Sequence, residues 1–379
     1  MILSLSDLNV YDNITNMENK PSPDANQDTK KVESYVLEGE EAISVARKIN
    51  ALSIEELKGK FSASQLREMV ENFPSSFGDE VVPQEVLDAE AHIYSTYEPS
   101  ETLQKKHKGA NVSAIDSYNP KELFVLREEW KSKMDSDQQV SFLEGYVKKL
   151  AKEYGLNQEI SIVLYDEVFS GESAMWMPTY EPDKIGVLIL YKSVLKNVDL
   201  PTAMSLVSHE ISHGFQEFLT KTVVEKMPED LADDKEWFKV TADRFRHRSN
   251  YTEAYKASQL RYKALPPEKD AWAMQSAAYE ELNRVSEQYA NQVLMSEGLG
   301  SYSDIKKETT VSRWITRNLK EETTPEDLIK EAEKLTHVPE IAAKIVETVS
   351  GKDKEAIVEA VRDIDERRKK ADLLLGLAI

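Results

Sequence analysis

Residues 205–217 read SLVSHEISHGFQE, placing two of the chain's six histidines, His209 and His213, four residues apart with Glu210 directly after the first. On a helix, positions i and i+4 lie on one face about one turn apart. Both imidazoles can therefore present a ring nitrogen to one metal ion. Glu210 projects about 100° further round the helix, offset from the two histidines but close enough to touch a water on the metal. Two zinc ligands and a general base are the mechanics of H-E-x-x-H. Histidines at this spacing also occur on helices that bind nothing, and context separates the cases. The segment follows a strand-rich stretch and is amphipathic, with Met204, Val207, Ile211, Phe215 and Phe218 apolar. Gly214 sits in mid-helix, where it costs about 1 kcal/mol relative to Ala but lets another element approach closely.

A catalytic zinc has three protein ligands and one open position. The chain has no cysteine, and no third histidine in the longer H-E-x-x-H-x-x-G-x-x-H arrangement, so the third ligand should be a carboxylate. Glu217, one turn beyond His213, would have to reach back awkwardly. Glu268, in PPEKDAW, opens a downstream helix, and Ala271 is small enough to let that helix pack closely on the first. Asp270 is the reserve candidate. An acid in a first helical turn is also favoured by the helix dipole alone; the two histidines tip Glu268 toward ligation. Two imidazoles, one carboxylate and an open position suit zinc best.

HEISH followed some 55 residues later by EKDA resembles the zincin metallopeptidases of the glutamate-ligand branch, where the third ligand often sits in E-x-x-A. The resemblance covers roughly residues 155–295. It departs at Trp272, where families of this branch often have Asp or Asn. It implies a small sheet over the metal helix, with an antiparallel edge strand, here within Ser173–Met177, that binds substrate backbone. The implied activity is zinc-dependent endopeptidase hydrolysis of a protein or peptide substrate. Zinc lowers the pKa of its water toward about 7 and polarises the scissile carbonyl. Glu210 takes the water's proton and passes it to the leaving amine. An oxyanion stabiliser is expected as well, with Tyr262 the leading choice among Tyr251, Tyr255, Arg261 and His247. An acid holding a ligand histidine is expected too, with Glu280 and Glu281 both open.

These groups need elements to position them. The expected class is α+β and predominantly helical, with the organisation 1–33 flexible polar arm, 34–153 helical region, 154–300 metallopeptidase core and 301–379 C-terminal helical region. Helices are predicted from Glu40 (Ala42, Val45, Ala46 and Ile49 on one face), around Leu57 to Phe73 where Pro74 ends the run, and over 84–96 and 120–153. The run Lys105-Lys106-His107-Lys108 reads as a solvated loop. EISIVLYDEVF (159–169), GESAMWMPTY (171–180) and IGVLILY (185–191) read as three short strands in a meander. The metal helix starts near Asp199 with Pro201 in its first turn, and runs to about Lys226. The next helix starts at Pro266-Pro267 and runs to about Leu294; a later one is capped by Thr324 with Pro325 at its first position.

Composition narrows the alternatives. Hydrophobic residues make up 40% of 379, enough for a sizeable core. With 48 basic against 68 acidic residues the net charge is −20, which repels phosphate backbones and argues against nucleic-acid partners. No apolar stretch approaches the length of a membrane span. The start, MILSLSDLNVYDNITNMENK, lacks a basic region before an apolar run, so no conventional secretory signal is read and the cytoplasm is the expected site of synthesis. The N-terminal region would then serve as a prosegment, a delivery signal for a dedicated export machine, or a docking module. A second reading keeps the zincin-like fold without turnover, as an interaction or structural protein, toxin- or phage-associated. Glu210 discriminates, because a binding module needs no general base beside its ligands.

Overall fold

The computed structural model describes residues 39–62, 65–66, 69–70, 77, 82–156, 159–166, 173–178, 184–223, 234–235, 237–239, 241 and 265–377. The arm expected over 1–33 lies outside them, as do Phe73 and Pro74. Before the sheet the described residues form α1 (Gly39–Asn50), α2 (Ile54–Lys60), α3 (Gln84–Tyr94), α4 (Glu101–Asp116), α5 (Pro120–Glu129) and α6 (Ser136–Glu153). Ala42, Ala46 and Ile49 are the buried face of α1, as their spacing predicts.

Two expectations for this region are corrected. The segment 120–153 is two helices, because Asp135 and Gln138 form a capping box that starts α6 afresh. The break is filled by the fully buried Trp130, whose carbonyl accepts from Gln139 Nε2 at 2.9 Å. The lysine run at 105–108 is not a loop but the middle of α4. Leu103, His107, Ala110 and Ala114 form its buried stripe, while Lys105, Lys106 and Lys108 face solvent.

The strands are β1 (Glu159–Tyr165), β2 (Ala174–Pro178) and β3 (Lys184–Tyr191), in the order β1-β3-β2. β1 runs parallel to β3 and β2 antiparallel to it, so the sheet is mixed and the meander is overturned. The reason lies in the strands themselves. β3 is a continuous apolar run, buried at Leu188, Ile189, Leu190 and Tyr191, which suits a central strand. β2 is short and ends in Pro178, which has no N–H for a ladder and belongs at an edge.

After the short α7 (Lys192–Asn197), Asp199 accepts the Thr202 N–H at 3.0 Å and opens α8 (Leu200–Val223), the helix of the two histidines. α9 (Pro266–Ser296) begins on the two prolines. α10 (Tyr302–Asn318), α11 (Pro325–Glu333), α12 (Pro339–Val349) and α13 (Lys354–Leu375) complete the described chain, with Thr324 capping α11 as its sequence predicts. The class is α+β, predominantly helical. No helix of the described residues is long and apolar enough to cross a membrane.

One buried apolar cluster runs from Ala42 to Val285, so the helices before the sheet, the sheet, α8 and α9 share a core. Two smaller clusters hold α10 to α13, one of them through Phe124 of α5. Within the main core the indole of Trp176 on β2 lies between two glycines. A Cβ at Gly186 would meet its ring at 2.2 Å, and one at Gly214 would meet it at 2.7 Å. The close approach expected at Gly214 is this ring. Trp176 Nε1 also donates to Glu217 Oε2 at 3.1 Å, which pins the ring to α8. Gly186→Ala and Gly214→Ala are therefore each expected to lower stability by roughly 1–3 kcal/mol through overpacking, measured by denaturant unfolding. Adding Trp176→Leu to Gly214→Ala should recover part of that loss, because the two positions couple.

Candidate metal centre

Helical geometry sorts α8 into stripes at i, i+4 and i+7. His209, His213 and Gln216 face α9. Glu210, Gly214 and Glu217 face β2. Ser208, Ser212 and Phe215 face α4 and α6, with Tyr146 OH bonded to Ser208 Oγ at 2.7 Å and Tyr154 stacked on Phe215 at 4.5 Å between ring centroids. No pair of described elements packs more extensively than α8 with α9. That packing sets the first turn of α9 directly over the two histidines.

Glu268 in that turn has no solvent exposure, and His209 and His213 are each 6% exposed. Glu268 Oε2 lies 3.3 Å from His209 Nε2, Glu268 Oε1 lies 3.1 Å from His213 Nε2, and the two Nε2 atoms are 3.3 Å apart. No other hydrogen-bond donor among the described residues reaches either Glu268 oxygen. Three convergent donor atoms of this kind can hold a metal ion. The structure thus brings together the two histidines and the carboxylate singled out in the sequence.

Electrostatics follow from the burial. Burial pushes Glu268 up, but the charge of His213 and hydrogen bonds from both histidines outweigh it and hold the carboxyl below its usual value. Burial pulls His213 down, yet the Glu268 carboxylate, with help from Glu210 and Gln216, raises it to about 9. Glu210 is raised, chiefly by burial and against the pull of both histidines; its carboxyl accepts the backbone N–H of Trp176.

The surrounding residues depart from expectation in informative ways. Asp270, the reserve ligand, turns away from the cluster: it faces His107 Nδ1 at 3.0 Å and accepts from Gln216 Nε2 at 2.8 Å. Glu217 meets the Trp176 indole instead of the metal position. Glu281 pairs with Arg284, whose Nε donates to it at 2.8 Å, and Glu280 is exposed, so neither holds a ligand histidine. Gln216 takes that place, with Oε1 3.0 Å from His213 Nδ1. Its signal was its position, on the stripe of His209 and His213. His107, buried in α4 beneath Asp270, was hidden by its charged neighbours. Trp272 packs edge-on against His209 at 5.1 Å between ring centroids. Tyr262, Tyr251, Tyr255, Arg261 and His247 lie outside the described residues. Comparison with protein-family models, curated proteins and solved structures finds no match for the chain.

The His213 shift has a measurable consequence. A histidine raised from 6.5 to about 9 on folding contributes stability that is fully present below 6.5 and lost as pH rises through about 9. In a chelating buffer, stability should fall between those values. His213→Asn should flatten that part of the profile, as read from denaturation midpoints across pH.

Proposed function

We propose that the chain is a zinc-dependent peptidase, with His209, His213 and Glu268 as zinc ligands and Glu210 as general base. One observation carries the reading: the Nε2 atoms of His209 and His213 stand 3.3 Å apart, and each lies 3.1–3.3 Å from its own oxygen of the Glu268 carboxylate. A tetrahedral zinc with bonds of about 2.0–2.1 Å sets its ligand atoms about 3.3 Å apart, which matches the separation of the two imidazole nitrogens and of each from the carboxylate oxygen it faces. The resemblance of HEISH and EKDA to the glutamate-ligand zincins points the same way.

Zinc, when bound, supplies a Lewis acid that polarises a carbonyl and acidifies water. The protein's part is positional. Glu210, one residue beyond His209, turns its carboxyl toward the β2 side of the site, where it receives the proton of the attacking water and returns it to the leaving amine. Its raised pKa makes the carboxylate a stronger base for the uptake of that proton. Among the described residues β2 pairs with β3 alone. Its outer edge suits an extended peptide joined by main-chain hydrogen bonds, which makes a protein or peptide the expected substrate.

Elemental analysis beside a pooled-peptide cleavage assay tests this. The wild type and Glu210→Gln should each hold about one zinc per chain, the stoichiometry of a single catalytic site. Cleavage should fall about 10²–10⁴-fold in Glu210→Gln, the range for losing a general base. His213→Ala should lose both metal and cleavage. A His213→Ala protein that kept both would sink the proposal.

A further inference from the structure

Resting on the zinc reading, we infer that Gln216 is a positioning residue, which locks His213 with its proton on Nδ1 and the lone pair of Nε2 on the metal position, and that Asp270 and His107 lock Gln216 in turn. Gln216 is fully buried. Its Nε2 lies 3.0 Å from the Pro267 carbonyl and 2.8 Å from Asp270 Oδ2. A carbonyl and a carboxylate only accept, so both must face the amide's NH₂ end, and the assignment of nitrogen and oxygen in this side chain is forced. The oxygen end is then the one 3.0 Å from His213 Nδ1. An amide oxygen cannot donate, so Nδ1 carries the hydrogen. When a metal ion takes the place of the proton that Nε2 shares with Glu268, the ring offers it the Nε2 lone pair, aimed at the space between His209 Nε2 and Glu268.

The chain of support continues into the N-terminal helices. Asp270, 2% exposed, is held from its other side by His107 of α4, with Nδ1 3.0 Å from each carboxylate oxygen. The His107 ring stands edge-on to Phe215 at 4.8 Å between centroids, and its backbone carbonyl accepts from Asn111 Nδ2. Asn111 Nδ2 also donates to Tyr154 OH at 3.0 Å, and Tyr154 stacks on Phe215, the residue before Gln216. His209 is treated differently. Its Nδ1 is buried with no partner among the described residues, and its ring is placed by packing against Trp272. The two histidines are therefore fixed by unlike means, and loss of Gln216 should disturb one and spare the other.

The test uses the full chain, ¹⁵N-labelled at histidine, with and without Gln216→Met, which keeps the length of the side chain and removes both polar ends. In the zinc-loaded wild type, His213 should show a protected Nδ1–H resonance and coordination through Nε2. In Gln216→Met that resonance should exchange with solvent while the His209 signals stay in place. Zinc affinity, read by competition with a chelator, should fall about 10–100-fold, the range for losing a partner that orients a ligand. The wild-type spectrum decides even where Gln216→Met does not fold: coordination of His213 through Nδ1 overturns the inference. A folded Gln216→Met that binds zinc as tightly as the wild type overturns it too, leaving the zinc reading intact. A wild type that takes up no zinc overturns both.

Discussion

A carboxylate with no solvent exposure, Glu268, has to be matched by positive charge inside a helical core, and the central packing of the protein follows from that. Unmatched, a buried ion costs several kcal/mol, so the first turn of α9 can settle only where cationic partners already stand. The two imidazoles of α8 are those partners, shared with a proton or with a metal ion. The start of a helix contributes the favourable end of its dipole. Ala271, fully buried in the next turn, allows the two helices to close on one another. The register of α8 against α9 thus has to satisfy this charge as well as the apolar fit.

The other two stripes of α8 tie that register to the rest of the molecule. Gly214 and Gly186 leave a slot for the Trp176 indole, so β2 cannot slide along the helix without lifting a ring held at Glu217. Ser208, Ser212 and Phe215 meet Tyr146 and Tyr154 near the end of α6, and His107 reaches Asp270 from α4. The helices before the sheet therefore support the site from within a common core. α4 joins that core by placing a buried histidine against Asp270.

The sequence was legible where one residue type has one physical use. The i, i+4 histidines, the prolines and Glu268 at the head of α9, Asp199 and Thr324 as caps, and the glycine at 214 all announce a local requirement that the fold meets. Strand order was less legible, because β1, β2 and β3 are each plausible strands and their pairing depends on which run is buried on both faces. The break before α6 was written in Asp135 and Gln138, but the apolar spacing continued across it and masked the cap. His107 was misread for a related reason. Three lysines around it describe the solvent face of α4, while the residues that describe its buried face lie three and four positions away. Gln216 looked like one polar residue among several. Its role comes from Asp270 and the Pro267 carbonyl, fifty residues downstream, which no local reading brings together.

Glu210 bears most directly on the choice between turnover and a purely structural centre. A structural zinc site is closed by four protein ligands, whereas the described residues converge three ligating side chains on this one. Beside them stands a carboxyl that is 9% exposed and whose ionisation is opposed by its own burial. For a binding scaffold that residue is a net burden. A glutamine at the same place would fill the same volume, meet the Trp176 N–H with its oxygen, and carry no charge to desolvate. On the proposed reading the carboxyl takes up a proton and gives it back, and it lies beside β2, an edge strand of the sheet. An ionisable group and a strand edge beside three converging side chains of the described residues are what favour the proposed hydrolysis over scaffolding.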